Sequence, residues 1–351
     1  MPNRAAGCAC LSNLSPDPAD DRRDAPPCWG RVAAVTGSRS RPCRRGPTVE
    51  AVRFAVPNTT VLVADGGLAT TLEAAGFDLS DPLWSARLLL DAPDAITATH
   101  ERFFRAGADI ATTASYQVSF AGFADRGVDA AQTTAVLHRS VALARGAATR
   151  IGGRRTVAAS IGPYGAALAD GAEYRGRYGL SVAQLAAWHR PRLEVLAAAG
   201  ADVLACETIP DVDEAEALVG LLTEVDAPGW LSYTIAGQRT RAGQPLAEAF
   251  ALADAADQVC AVGVNCCDPA DVAPAIEIAA AVTDTPVIVY PNSGERWHHG
   301  RWSGPPTFTA AAAADWVDAG ARIVGGCCRV GPTQIAALAR RLAGRATPGR
   351  R

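Results

Sequence analysis

The feature that most constrains the fold is an alternation of eight strand-like and eight helix-like segments between about residues 60 and 343. The strand candidates are short and rich in β-branched and small apolar residues, and they lie at 60–65, 108–115, 156–162, 201–208, 229–235, 259–265, 286–292 and 321–328. The helix candidates are longer and Ala-rich, and they lie at 92–106, 129–148, 181–199, 212–223, 246–256, 269–282, 309–319 and 332–343. Eight β-then-α units predict an α/β fold, a single-domain (β/α)8 TIM barrel whose closed sheet leaves no strand edge exposed.

A doubly wound open sheet is the alternative fold for such an alternation. It would carry a glycine-rich phosphate loop after a strand, and no G-x-G-x-x-G stands in that position. Three of the helix candidates end at Gly107, Gly200 and Gly320, the position where a helix often closes with a positive φ. The barrel is therefore the preferred prediction.

Residues 1–57 differ in composition from the rest of the chain, being rich in Pro, Arg, Asp and Ser without a sustained apolar period. Residues 1–50 contain eight Arg against four Asp and one Glu, a net charge of +3. We expect 1–57 to be a disordered extension, or the product of a start codon assigned too early. The barrel domain is predicted at 58–345, followed by a short C-terminal tail at 346–351.

The composition excludes several classes of protein. No apolar run reaches the roughly 20 residues that span a bilayer, and a net charge of −3 with a pI of about 6.0 argues against nucleic acid as a partner. All 33 Lys or Arg residues are Arg, which removes Schiff-base and P-loop lysine chemistry. No secretory signal is recognisable, so we expect a cytoplasmic protein whose cysteines act as ligands or nucleophiles.

Polar residues cluster where the predicted strands end, the face of a barrel that carries the active site. They are Asp65, Gly66 and Gly67 after the first strand, Ser115 and Tyr116 at the second, Glu207 at the fourth, Cys266 at the sixth, Asn292 at the seventh, and Cys327 and Cys328 at the eighth. The histidines fall in helices or in a loop after the seventh strand, so neither a His-rich hydrolytic metal site nor a Ser-His-Asp arrangement is expected.

Cys266, Cys327 and Cys328 follow strands separated by one neighbour, so their thiolates can converge on one ion. Soft sulfur ligands favour zinc, and three protein ligands leave the fourth position open, as in catalytic zinc sites. Three alternatives stay open at this point: a closed site with Cys267 or Cys206 as fourth ligand, a redox pair formed by Cys327 and Cys328, and a non-catalytic barrel that binds zinc or thiols.

Eight segments of the chain resemble the homocysteine S-methyltransferases, most closely the branch that uses S-methylmethionine. They are "DGGLATTLEAAGFDLSDPLWSARLL", "AGADIATTASYQVS", "SIGPYGAALADGAEYRG", "HRPRLEVL", "GADVLACETIP", "GVNCCDP", "YPNSGE" and "GGCCRVGP". The resemblance implies that Cys266, Cys327 and Cys328 bind Zn2+. It also implies an enzyme that moves a methyl group from S-methylmethionine or S-adenosylmethionine to L-homocysteine, giving methionine; betaine is the alternative donor.

The substrates would then be small molecules, homocysteine and a sulfonium donor, and further residues are expected to contact them. Asp65 and Glu207 are suited to the homocysteine ammonium, which the resemblance supports. Backbone N–H groups of Gly66 and Gly67, with residues near Ser115, are candidates for its carboxylate. Tyr116, with Tyr164 and Trp84, could offer π faces to the sulfonium, and Asn292 is expected to face the site.

Overall fold

A computed structural model of the chain describes residues 54–57, 60–79, 84–298 and 301–345, without the side chains of 84, 85, 297, 298 and 301. All of these residues belong to one compact unit, Ala51–Arg351. The predicted extension, apart from 54–57, and the predicted tail at 346–351 lie outside the described residues. The division into extension, barrel and tail therefore stays a prediction.

Eight parallel strands form the barrel. They are β1 (Leu62–Val63), β2 (Ile110–Thr112), β3 (Thr156–Ile161), β4 (Val203–Ile209), β5 (Gly229–Tyr233), β6 (Val259–Asn265), β7 (Val287–Tyr290) and β8 (Ala321–Val324). Each strand pairs with its neighbours in chain order, β8 pairs with β1, and a parallel bridge between Ala64 and Ile110 joins β1 to β2. The sheet is closed, so the predicted (β/α)8 barrel is confirmed.

Helices alternate with the strands. They are α1 (Leu68–Ala74), α2 (Leu88–Asp91), α3 (Pro93–Arg105), α4 (Phe120–Ala124), α5 (Ala130–Ile151), α6 (Tyr164–Leu168), α7 (Val182–Ala198), α8 (Val212–Val225), α9 (Leu246–Ala251), α10 (Val272–Val282), α11 (Ala310–Ala319) and α12 (Pro332–Leu342). The eight predicted helices are α3, α5 and α7–α12. The additional four are short and lie in the connections after β1, β2 and β3. They are too short to show the apolar period from which a helix is predicted.

Local sequence explains where the longer helices begin and end. Asp129 and Ser181 each form a capping box, accepting from the backbone N–H of Gln132 and Gln184, which caps α5 and α7. Gly107, Gly200 and Gly320 have φ angles of 103°, 83° and 126°, as their predicted positions at helix ends require. No helix among the described residues is both long and apolar enough to span a bilayer.

Two antiparallel hairpins, which the sequence did not predict, follow β5 and β7. The first pairs Ile235–Ala236 with Arg239–Thr240, and the second pairs Arg296–His298 with Arg301–Ser303. Both lie in connections at the carboxyl ends of the strands, so they add walls to that face of the barrel.

The inner core of the barrel is a separate cluster of small and aromatic side chains. Successive residues of a strand point to opposite faces, so a strand that contributes two residues contributes alternate ones, as β4 and β7 do. The cluster consists of Ala64 directly after β1 and of Ile110, Ala158, Val203, Ala205, Trp230, Ala261, Ile288, Tyr290 and Ile323. Val56 is buried in the same cluster and Phe54 packs against it. The chain before β1 therefore fills part of the barrel interior.

Candidate metal and substrate site

A cavity of about 1400 Å3 opens at the carboxyl ends of the strands. Its lining draws on the carboxyl-terminal end of each of the eight strands or on the connection that follows it, including Asp65, Thr112, Ser160, Glu207, Arg241, Asn265, Cys266, Asn292 and Cys328. This is the face on which the sequence places its polar residues, and nine of the ten predicted site residues line the cavity. The exception is Ser115.

Three cysteine sulfurs lie together at one wall of the cavity. The Sγ atoms of Cys266, Cys327 and Cys328 are all within 4.8 Å of one another. Cys266 directly follows β6 and has a φ of 47°, which turns the chain at the strand end. The Sγ atoms of Cys266 and Cys327 are placed within bonding distance as a disulfide, with their Cα atoms 5.6 Å apart.

Glycines and backbone hydrogen bonds hold the loop that carries Cys327 and Cys328. A Cβ at Gly325 would come within 2.7 Å of the Ala64 Cβ, and one at Gly326 would overlap the Val330 side chain. The Cys327 N–H donates to the Pro291 carbonyl at 2.7 Å. Only glycine permits such a close approach of the loop to β1 and to its own turn.

Asn292 lines the cavity, as predicted, and its side chain also supports the sulfur cluster. Its Oδ1 accepts a hydrogen bond from the Cys328 N–H at 3.1 Å, while its own N–H donates to the Cys267 carbonyl at 3.0 Å. Asn292 therefore links the two cysteine-bearing loops. The sequence indicated that it faces the site but not that it acts through the loops.

The three-sulfur cluster fits an open metal site. Among the described residues, the cluster includes neither Cys206 nor Cys267, and both are buried. Three soft donors without a fourth protein sulfur match a metal that keeps one position for a substrate, so the closed four-cysteine alternative loses its support.

Asp65 and Glu207 project into the same cavity as carboxylates without a cationic partner among the described residues. Glu207 stands two residues beyond Ala205 on β4, so the strand period places it on the inner face. Asp65 accepts hydrogen bonds from the Thr112 N–H at 2.9 Å and the Thr112 hydroxyl at 3.1 Å. The hydroxyl groups of Ser160 and Tyr290 hydrogen-bond to Glu207.

Burial raises the pKa of both carboxyl groups. That of Asp65 rises from 3.8 to about 8, and the charge of Glu207 adds to the rise while the Thr112 hydrogen bonds oppose it. That of Glu207 rises from 4.5 to about 7, opposed by its bonds to Ser160 and Tyr290. A substrate ammonium placed between them would stabilise the ionised forms, because an adjacent positive charge lowers a carboxyl pKa.

The structure corrects two of the predicted carboxylate contacts. The Gly67 N–H donates to the Val330 carbonyl at 2.9 Å, so it is not available to a ligand. Ser115 is fully buried; its hydroxyl bonds the Ser160 carbonyl and the Thr113 hydroxyl, each at 2.7 Å. It lies in the turn that follows β2 and links this turn to β3, and it does not line the cavity.

Of the aromatic residues predicted to contact the sulfonium, one lines the cavity and one does not. Tyr116 lines the cavity, and burial raises its pKa. Tyr164 does not; its ring packs on Tyr178 and Trp188 at centroid distances of 5.2 and 5.1 Å. The side chain of Trp84 lies outside the described residues.

Several cavity residues were missed by the sequence analysis. Thr112, Ser160 and Tyr290 share the inner face with core residues two positions earlier, so the strand period alone could have found them. Asn265 ends β6 and pairs with Thr208, accepting from its N–H at 2.7 Å and donating to its hydroxyl at 2.8 Å. Glu173 and Arg241 line the outer cavity from loops that show no periodic signal.

Comparison with known proteins identifies the family of the chain. The family model described as homocysteine S-methyltransferase matches residues 62–342. The chain is 44% identical over 303 residues to the homocysteine S-methyltransferase of Escherichia coli (strain K12), covering 82% of this chain and 97% of that protein. It is 43% identical over 294 residues to homocysteine S-methyltransferase YbgG of Bacillus subtilis (strain 168), covering 80% and 93%.

A solved structure shows the same likeness in three dimensions. The metallated form of the homocysteine methyltransferase MmuM from Escherichia coli superposes with a TM-score of 0.73 at 45% identity, covering 80% of this chain and 96% of that one. The matched region contains the barrel, the three clustered sulfurs and both buried carboxylates. The chain therefore belongs to the homocysteine S-methyltransferase family and is an enzyme that transfers a methyl group to homocysteine.

Proposed function

We propose that the enzyme takes its methyl group from a sulfonium compound, S-methylmethionine in first place and S-adenosylmethionine in second, and that it depends on Zn2+. The observation that carries the proposal is the meeting of three cysteine sulfurs with two buried carboxylates in one cavity. The metallated form of the Escherichia coli relative adds support for a metal at the sulfur cluster.

Cys266, Cys327 and Cys328 would hold the zinc ion. When bound there, zinc would lower the pKa of the homocysteine thiol and supply it as a thiolate at neutral pH. A free thiol with a pKa near 8.5 is only a few per cent ionised at pH 7, so full deprotonation contributes about 2 kcal/mol at most. The larger part of the rate enhancement must then come from how the protein positions the two substrates.

Asp65 and Glu207 would bind the homocysteine ammonium. Each carboxylate is buried, oriented by hydroxyl groups and lacks a cation among the described residues. An unpaired buried charge is costly, and a substrate cation offsets that cost. The Gly66 N–H, which has no acceptor among the described residues, is the remaining candidate from the Gly66–Gly67 turn for the substrate carboxylate.

The transfer is a direct displacement. A lone pair of the homocysteine sulfur forms the new bond to the methyl carbon, and the electron pair of the breaking C–S+ bond returns to the donor sulfur. The thiol proton leaves to solvent, and the donor becomes a neutral thioether. No general base acts on the methyl group, so the protein needs only to ionise the thiol and align it with the donor.

The donor assignment is tested by supplying homocysteine with S-methylmethionine, S-adenosylmethionine or betaine and measuring methionine. We expect the highest kcat/KM with S-methylmethionine and loss of turnover after complete removal of zinc by a chelator. Turnover with betaine alone would reject the donor, whereas full turnover without zinc would reject the metal.

The metal ligands are tested by single substitutions with a neighbouring control. Cys266→Ser, Cys327→Ser and Cys328→Ser should each lose stoichiometric zinc and at least about 100-fold of activity, because a hydroxyl is a weak zinc ligand. Cys267→Ser, the adjacent control outside the cluster, should keep the metal. Zinc content is measured by elemental analysis, and zinc retained in the Cys327→Ser protein would contradict the assignment.

A further inference from the structure

The cavity extends outward beyond the sulfur cluster and the two buried carboxylates, and the proposed binding of homocysteine leaves this outer part unused. We propose that Glu173, Tyr174 and Arg241, which we call the outer subsite, bind the methyl donor as a zwitterionic amino-acid sulfonium. The positively charged sulfur of the donor lies against Glu173 and Tyr174, and the carboxylate of the donor lies against Arg241. The inference deepens the proposed function and rests on it.

Glu173 is the anionic part of the outer subsite. It lies in a 3-10 turn, Ala172–Tyr174, between β3 and α7, and it lines the cavity. Its Oε2 is buried and has no hydrogen-bond partner among the described residues. A buried carboxylate oxygen without a donor is costly unless a ligand supplies one, so the position calls for a cation.

Tyr174 follows Glu173 in the same turn and places an aromatic ring at the cavity. It lines the same cavity as Tyr116 and Cys328, and it is 37% exposed. The face of an aromatic ring attracts a cation, so Tyr174 can contact the positive sulfur of a donor whose methyl group faces the rest of the cavity.

Arg241 is the cationic part of the outer subsite. It follows the hairpin after β5, lines the cavity, and has its guanidinium carbon 5.7 Å from the centroid of the Tyr174 ring. Among the described residues it has no carboxylate within ion-pair distance. A guanidinium presents paired N–H donors that match a carboxylate, so Arg241 can hold that end of an amino acid.

Asp211 fastens the two loops that form the outer subsite. Its Oδ2 accepts from the Arg177 N–H at 2.8 Å and its Oδ1 from the Gln244 Nε2 at 2.5 Å. The Arg177 side chain also donates to the Ala242 carbonyl at 3.1 Å. Glu173 and Arg241 are therefore held in a set arrangement before the ligand arrives, which lowers the entropic cost of binding.

The test compares a sulfonium that carries a carboxylate with one that does not. S-methylmethionine and trimethylsulfonium are supplied to the zinc-loaded enzyme with saturating homocysteine, and KM and kcat are measured for each. Glu173→Gln should raise the KM of both donors about tenfold or more, because both lose a charge-assisted contact. Arg241→Gln should raise the KM of S-methylmethionine by a similar factor and leave that of trimethylsulfonium unchanged.

Three further measurements make the outcome unambiguous. The KM for homocysteine and the zinc content should stay at the wild-type values in both variants, and calorimetry should show weaker S-methylmethionine binding. Arg190→Gln, which alters an exposed arginine paired with Glu224 outside the cavity, is the control and should change no donor constant.

Donor KM values within twofold of wild type in both variants overturn the outer subsite while leaving methyl transfer intact. An equal loss with both donors in Arg241→Gln overturns the carboxylate contact. A wild-type enzyme that uses no sulfonium overturns the proposed function, and the inference with it.

Discussion

At the scale of single residues, Asp65 and Glu207 are two buried carboxyl groups that lower the stability of the folded chain. Both carboxyl groups are buried and raised in pKa, and their hydrogen bonds to Thr112 and Ser160 orient them without neutralising them. Removing such groups commonly stabilises an enzyme while it abolishes binding. Under the proposed function, the chain retains them because they bind the homocysteine ammonium.

Asp65→Asn should make this conflict measurable. The pKa of Asp65 is raised from 3.8 to about 8, so the folded chain binds its proton more tightly than the unfolded chain. The stabilising contribution is complete below pH 4 and is lost as pH rises to about 8. The substitution removes that loss. The difference in Tm between the ligand-free variant and the ligand-free wild type should therefore be more favourable to the variant at pH 8 than at pH 5, by about 3 °C or more.

Thermal unfolding at pH 5 and pH 8 gives this comparison, and calorimetry should show homocysteine binding weakened about 100-fold or more. Asp318→Asn, which alters an exposed carboxylate paired with Arg345, serves as the control without either effect. The same Tm difference at both pH values would contradict the burial argument.

Most of the site residues could be predicted from the sequence. In a closed barrel all strands end at the same face, so cysteines and carboxylates at predicted strand ends must lie near one another. It failed where a backbone group finds its partner far along the chain. Gly67 donates to Val330, and no local pattern reveals that contact. The prediction for Ser115 was wrong because Ser115 lies in the turn beyond the end of β2, where the strand period no longer indicates the direction of a side chain.

At the scale of elements, a buried chain of polar groups ties the loop after β3 to two helices. Arg192 of α7 donates to the Gly162 carbonyl and to His189 Nδ1, the latter at 2.8 Å. His189 Nε2 lies 2.8 Å from Glu214 of α8, which accepts from the Tyr164 N–H at 2.5 Å. Because a guanidinium can only donate, Nδ1 must accept, and the neutral imidazole donates from Nε2 to Glu214.

This network predicts a large effect from one substitution. Arg192→Met should lower the free energy of unfolding by about 3 kcal/mol, because Glu214 is left buried without its compensating charge. The double variant Arg192→Met/Glu214→Gln should recover part of the loss. Urea unfolding measures both, and an Arg192→Met protein as stable as wild type would show that the network carries no net stability.

The helical histidines illustrate the limit of sequence reasoning at this scale. The sequence places three of the five histidines in predicted helices. His138 is exposed and His100 is buried, but His189 lies in the polar network. The helix period tells which face a residue occupies, while the partner depends on how α7 and α8 pack.

At the scale of the whole molecule, the barrel fold could be predicted from the periodicity of the sequence alone, but the residue at which the domain begins could not. Val56 is 9% exposed and Phe54 packs beside it in the inner core, although both precede the predicted start of the domain at 58. Both residues belong to a short apolar run, "AVRFAVP" at 51–57, that directly follows the Pro- and Arg-rich stretch. The run is too short to be recognised as a strand or a helix, so the composition of the preceding stretch set the predicted boundary.

A pair of shortened chains tests that boundary. A chain starting at residue 54 should be more stable than one starting at residue 58 by about 2–4 kcal/mol, the range expected for burying Val56 fully and Phe54 in part. Denaturant unfolding of the two proteins gives the difference, and they differ by four residues only. Equal stabilities would place the boundary after Pro57, as the sequence suggested.

The junction of the first and last strands has a consequence for how the enzyme is made. The Gly326 N–H donates to the Asp65 carbonyl at 3.0 Å and the Gly67 N–H donates to the Val330 carbonyl at 2.9 Å. Asp65, proposed to bind the ammonium, and the loop that carries Cys327 and Cys328 therefore meet where the last strand joins the first. During translation Asp65 leaves the ribosome early and these two cysteines leave it almost last. If the three sulfurs hold zinc as proposed, tight metal uptake should mark completed synthesis, and an interrupted translation product should not compete for zinc.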